Sequence, residues 1–190
     1  MDNYFYNMVD ESDMQRLHYI PTVGEFVDWI EKEYASLPAL SQGGVTFTYA
    51  DMCGRVARRR AFIASLGLKE GAHIGIFDRN SVDAVELFLA ITSAGHVAMV
   101  FPSGLPAPAI AASCAKFDID VLFVRDEFAP LCEGLSSVKV VAASSMADEP
   151  APCPGLDPNA PAAIFFTGGT TGAPKGAVLS GVILTTGLMP

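Results

Sequence analysis

Between Val45 and Ala142 the chain alternates short apolar runs with stretches of helical periodicity, and this alternation constrains the fold more than any other feature. The runs 45–47, 73–77, 97–101, 121–124 and 138–142 have strand length and strand composition. Residues 97–101 show no polar alternation, which predicts a strand covered on both faces. The intervening pattern predicts helices over 49–66, 81–94 and 107–117, with a weaker one over 127–131. Thr48 is placed to cap the first, with Asp51 in its opening turn, and Asn80 to cap the second. Gly67 and Gly95 close them. Met52, Val56, Ala57 and Ile63 are expected on the buried side of helix 49–66, and Arg55, Arg58, Arg59 and Arg60 on a solvated one. An earlier helix starts at Thr22, which has Glu25 at capping-box spacing. Its expected inner face is Phe26, Trp29, Ile30 and Tyr34, and Pro38 ends it. Strand–helix–strand units of this kind build an α/β fold, a parallel (mixed) sheet flanked by helices on both faces.

The second half changes character. Residues 144–161 hold five prolines and little periodicity, as a connector would. An apolar run, 162–166, then leads into TGGTTGAPKG at 167–176, followed by a further short run at 177–180. The chain therefore divides into an α/β unit (1–143), a connector (144–161) and a strand–Gly/Thr-rich loop–strand unit (162–190). Glycines let a backbone turn sharply and approach a ligand, and their free N–H groups form anion-binding concavities. Threonine hydroxyls add donors, and a lysine adds a mobile charge suited to phosphate. Parallel sheets bind ligands at the carboxyl ends of their strands, which is where Thr167 stands. The loop is not that of P-loop NTPases. Pro174 precedes Lys175 where that motif needs glycine, and Gly176 follows where it needs a hydroxyl. No G-x-G-x-x-G dinucleotide pattern occurs there either.

The segment FFTGGTTGAPKGAVLS resembles the phosphate-binding signature of adenylate-forming enzymes, the family of acyl-CoA synthetases, luciferases and peptide-synthetase adenylation domains. Gly168 and Thr170 stand where that family usually has serine. The stretch from Val45 to Gly104 is similar to the family's N-terminal segment, with Met52 in place of the usual leucine. The resemblance covers about residues 20–190. It implies the N-terminal subdomain of an adenylate-forming enzyme. It also implies a ligase that joins a carboxylic acid to ATP with loss of pyrophosphate, then passes the acyl group to a thiol such as that of CoA. Mg²⁺-ATP is the implied nucleotide. Thr167, Thr170 and Thr171 would donate hydroxyls, and Gly168, Gly169, Gly172 and Gly176 would supply backbone donors or turns. Lys175 would pair with the terminal phosphate. The family's later motifs, including its catalytic lysine, are not found before Pro190, so no catalytic residue is assigned and the chain alone is expected to be inactive. The other reading is a stand-alone, non-catalytic module that binds a phosphate ligand or a partner subunit.

Composition narrows the setting. A chain of 190 residues buries on the order of 70% of its unfolded surface, enough for a full core. A net charge of −9 argues against nucleic acid and anionic membrane partners. Cys53, Cys114, Cys132 and Cys153 are scattered without metal-ligand spacing, as expected of thiols in the cytoplasm, and no metal site is assigned. The acidic, aromatic N-terminus does not read as a signal peptide. Residues 87–115 lack Asp, Glu, Lys and Arg, but three prolines break them, so no transmembrane segment is expected. His18, His73 and His96 have no partner spacing. The uncharged, apolar end 182–189 invites homodimerisation.

Overall fold

A computed structural model of the chain describes residues 22–167 and 175–188. Helix α1 (Val23–Tyr34) opens on the capping box, with the Thr22 hydroxyl accepting from Glu25 N and a Glu25 carboxylate oxygen accepting from Thr22 N at 2.8 Å. Strands β1 (Pro38–Gln42) and β2 (Val45–Thr48) then pair as an antiparallel hairpin. Both turn residues, Gly43 and Gly44, have positive φ, which only glycine tolerates well. A second capping box, Thr48 with Asp51, starts α2 (Tyr49–Ser65), and the Thr48 donors hold the Asp51 carboxyl below its ordinary pKa.

The main sheet follows. Strand β3 (His73–Phe77) leads through α3 (Val82–Ser93) to β4 (Val97–Val100). Helix α4 (Ala107–Lys116) leads to β5 (Ile119–Val124), and a 3-10 segment (Asp126–Cys132) to β6 (Lys139–Ala142). After the connector come β7 (Pro161–Thr167), β8 (Lys175–Ser180) and α5 (Gly181–Leu188). The strand order is β6-β5-β3-β4-β7-β8. Only β8 runs antiparallel, beside β7. The sheet is mixed, mostly parallel and helix-covered on both faces, as the alternation from residue 73 onward predicts. The expected first strand, 45–47, lies outside it, since β2 pairs with β1 in a separate hairpin.

Side chains alternate across it. Ile74, Ile76, Val121, Phe123 and Ala163 face a core made with α1, α2 and α3. Met99, Leu122, Val124 and Ile164 face a second core made with α4 and the 3-10 segment. Each large side chain buried this way contributes roughly 1.5–3 kcal/mol before entropy is charged against it.

Four details depart from expectation. Helix α1 buries Val23, Gly24, Val27 and Ile30; of the expected face, Ile30 is in the core and Phe26 packs against it, but Trp29 and Tyr34 are not buried. A Cβ on Gly24 would lie 1.8 Å from Cys153 Sγ, so the Gly24 face fits tightly under the connector. Trp29 and Tyr34 lie partly exposed, stacked edge-on at 5.6 Å. Pro38 opens a strand as well as following a helix. Ser81, not Asn80, caps α3, because its hydroxyl accepts from Ala84 N and donates to Asp78. The apolar end is also less open than expected, since Leu184 of α5 enters the first core while Ile183 faces outward.

The largest correction concerns the arginines. Arg59 is fully buried and Arg60 nearly so. Arg59 Nε donates to Glu86 at 3.0 Å, and Glu86 is itself fully buried. Arg59 also pairs with Asp83, and Arg55 Nε reaches Glu86 at 2.5 Å. The remaining Arg59 donors take the carbonyls of Ala143 and Ser145. Arg60 grips the carbonyl of Ala151 twice, at 3.0 and 2.7 Å, and donates to Ser93 Oγ. These side chains tie α2 to α3 and to the start of the connector. Arg58, between them, is half-buried.

Replacing Glu86 by alanine strands Arg59 without its buried partner, and should cost about 3–5 kcal/mol in urea unfolding. Lys69→Ala removes an exposed pair with Asp120 and should cost less than about 1 kcal/mol.

Candidate phosphate site

Strands β3, β4, β5 and β7 are mutually parallel, so their carboxyl ends, at Phe77, Val100, Val124 and Thr167, share one edge of the sheet. The Gly/Thr-rich segment leaves from that edge. Thr167 pairs with Lys175 across the β7–β8 hairpin, and Phe166 pairs with Gly176. The Thr167–Lys175 pair is thus the mouth of the loop, and the Lys175 side chain is exposed there. Gly168, Gly169, Thr170, Thr171 and Gly172 lie outside the described residues, as does Pro174.

The mouth is framed by aromatic rings. Phe166 stands edge-on to Phe101, which follows β4, and to Phe117 at the end of α4, with centroids 5.6 and 5.5 Å away. Phe165, on the other face, meets Phe88 of α3 at 5.9 Å. Gly176 completes the fit. A Cβ there would come within 2.6 Å of Ile164 Cγ2 and 3.1 Å of Phe117 Cε1. Sequence reasoning did not assign Phe101 or Phe117 to the site. The one available signal was the Phe-Phe pair immediately before Thr167.

Acidic groups on the same edge are committed elsewhere. The Asp78 carboxylate is buried and accepts from Ser81 Oγ, Arg79 N and Arg125 Nη1. That contact raises the pKa of Arg125, and it leaves Asp78 a turn-holding residue, as expected. Among the described residues no group of three or more His, Cys, Asp or Glu could hold a metal ion. The cysteines are unpaired, and burial pushes Cys53 up to about 12 and Cys114 to about 11, so neither is a thiolate at neutral pH.

The opposite edge carries a cleft of about 400 Å³ lined by Thr22, Gly95, His96, Leu156, Pro158 and Gly181, among others. His96 is buried there, and its Nδ1 meets no hydrogen-bond partner among the described residues. Burial lowers its pKa, with Asp120 opposing in part. Lys175 and Gly176, the expected phosphate-site residues whose side-chain positions are described, do not line this cleft.

The comparison with known proteins decides the family. The family model described as "AMP-binding enzyme" matches residues 27–186. The chain belongs to the AMP-binding enzymes. It is 29% identical over 150 residues to the hybrid PKS-NRPS synthetase iliA of Neonectria sp., covering 75% of this chain and 4% of that protein. It is 26% identical over 181 residues to the fatty acid–[acyl-carrier-protein] ligase ScoC of Streptomyces coeruleorubidus, covering 88% of this chain and 35% of ScoC. The chain thus spans about a third of ScoC and a far smaller share of iliA. Among solved structures, the NpsA N-terminal subdomain of Klebsiella oxytoca superposes with a TM-score of 0.73 at 20% identity, over 85% of this chain and 42% of that one. The anthranilate CoA ligase AuaEII, solved with anthranoyl-AMP, gives 0.74 at 18% identity, over 86% and 34%. These likenesses establish the fold, that of the N-terminal subdomain of adenylate-forming enzymes. AMP-binding enzymes of this kind are ligases that use ATP and Mg²⁺. Among the described residues, no helix is long and apolar enough to cross a membrane.

Gly176→Ala should cost about 1–3 kcal/mol in thermal unfolding, because the added carbon overpacks against Ile164 and Phe117. Gly104→Ala, whose Cβ meets open space, should change stability by less than about 0.5 kcal/mol.

Proposed function

We propose that TGGTTGAPKG holds the β- and γ-phosphates of ATP for an acid–thiol ligase of the adenylate-forming type. The observation that carries this reading is the Thr167–Lys175 mouth at the carboxyl edge of a parallel sheet, where such sheets bind their ligands. The chemistry of the segment fits a triphosphate. The hydroxyls of Thr167, Thr170 and Thr171 and the backbone of Gly168, Gly169, Gly172 and Gly176 offer donors, and Lys175 offers a cation. Pro174 would stiffen the tip.

In the reaction, a substrate carboxylate oxygen bonds to the α-phosphorus as the bond to the bridging oxygen of pyrophosphate breaks. The acyl-adenylate then gives its acyl group to a thiol sulfur, and AMP leaves. Chemistry of this kind depends on positioning and on stabilising charge on the departing phosphates, which is the part assigned to this segment. Mg²⁺, when bound, would neutralise phosphate charge, and the described residues provide no acidic cluster of their own to hold it. No residue of this chain is assigned to the chemical step itself, and we expect no turnover from the 190-residue chain alone. CoA is the proposed acceptor. A carrier-protein thiol is the alternative suggested by the name of ScoC. The four free cysteines fit a reducing, cytoplasmic setting.

Losing one charge-assisted contact costs about 1.5–3 kcal/mol, so Lys175→Ala should weaken Mg²⁺-ATP binding at least about tenfold by calorimetry. Equal affinity in the two proteins overturns the assignment.

A further inference from the structure

Strand β7 is wedged on both faces immediately before the loop begins. Phe165 rests on Phe88 of one helical layer, and Phe166 on Phe101 and Phe117 of the other. Phe117 reaches further than an ordinary core residue. Its ring also lies within 3.1 Å of where a Gly176 Cβ would stand, so it spans both strands of the hairpin. Phe101 is anchored in turn, since its N–H donates to Ile76 O at 2.8 Å. The hairpin mouth therefore rests on the main sheet and on α4 through rings.

We propose that Phe101, Phe117 and Phe166 form the positioning element of the phosphate loop, fixing the Thr167–Lys175 mouth before any nucleotide arrives. The proposal rests on the reading of 167–176 as a phosphate site. The three rings are assigned no contact with the ligand. They act through the strand ends, by removing freedom that binding would otherwise have to remove. Edge-to-face pairs favour one mutual orientation, which aliphatic side chains of similar bulk do not impose.

The test uses the whole chain and its Phe117→Leu, Phe166→Leu, Phe128→Leu and Lys175→Ala variants. Phe128 stacks on Phe77 at 4.8 Å in the same apolar layer, at the end of β3, two strands from β7 in the sheet, so its variant measures the effect of lost packing there. Two quantities are read: amide exchange at Thr167, Lys175 and Gly176 without ligand, and calorimetric affinity for magnesium pyrophosphate. Phe117→Leu and Phe166→Leu should each speed exchange and weaken affinity by about five- to tenfold. Phe128→Leu should lower the melting temperature comparably and change both quantities less than about twofold. Exchange that is unchanged in both mouth variants overturns the proposal, whatever the ligand does. So does an equal effect from Phe128→Leu. Lys175→Ala separates the two ideas: pyrophosphate affinity equal to wild type refutes the phosphate reading, while exchange in the two phenylalanine variants still judges the positioning role. If one phenylalanine variant fails to fold, the other carries the test.

Discussion

The buried pair between Arg59 and Glu86 is the contact on which the rest of the structure depends. Both groups are withdrawn from water, and each would be strongly destabilising alone. Together they lock α2 to α3. The donors left over on Arg59 fix the carbonyls of Ala143 and Ser145. Arg60, one residue on, fixes Ala151. Backbone bonds from Ala147 to Arg58 and from Ala151 to Ala57 continue the same track. A connector without regular structure is thereby laid along α2, and it crosses from β6, at one margin of the sheet, to β7 beside β4. The two arginines thus help to determine where the strand that precedes the loop begins.

From there the construction is apolar. β7 enters with Ala163 facing one core and Ile164 the other, and it ends in a pair of phenylalanines held by separate layers. Polar chemistry starts only at Thr167. A rigid apolar strand followed at once by small, donor-rich residues suits a site whose task is to hold an anion rather than to titrate. The neighbouring carboxylate, Asp78, is consumed by three donors, and this keeps negative charge on the shared edge neutralised by Arg125.

Much of this was legible in the sequence where the signal is local. Thr22 with Glu25 forms the box its spacing announces, and Thr48 caps its helix as expected, with Asp51 completing a second box. The uninterrupted apolar run at Val97 lies in the middle of the sheet, with Val97, Ala98, Met99 and Phe101 buried and Val100 exposed. The failures are contacts between distant residues. Four arginines on an acidic chain read as a solvated face, because Asp83 and Glu86 lie more than twenty positions away and carry no local mark. On α1, Ile30 and Phe26 meet the core as their spacing suggests, but the close approach of Gly24 to Cys153, residues remote in the chain, has no local mark. The loop motif was readable as chemistry, but its aromatic frame was not, since Phe101 and Phe117 come from elements far from Thr167 in sequence.

The central claim is that the carboxyl edge of the sheet, at Thr167–Gly176, is where a nucleotide's phosphates bind. It is tested most directly by titrating isotopically labelled chain with Mg²⁺-ATP and following backbone amide shifts residue by residue. The account predicts saturable shifts concentrated at residues 167–176 and at the ends of β3 and β4, with little change around Gly95 and His96. Shifts confined to the cleft at the opposite edge, or none at millimolar nucleotide, would contradict it.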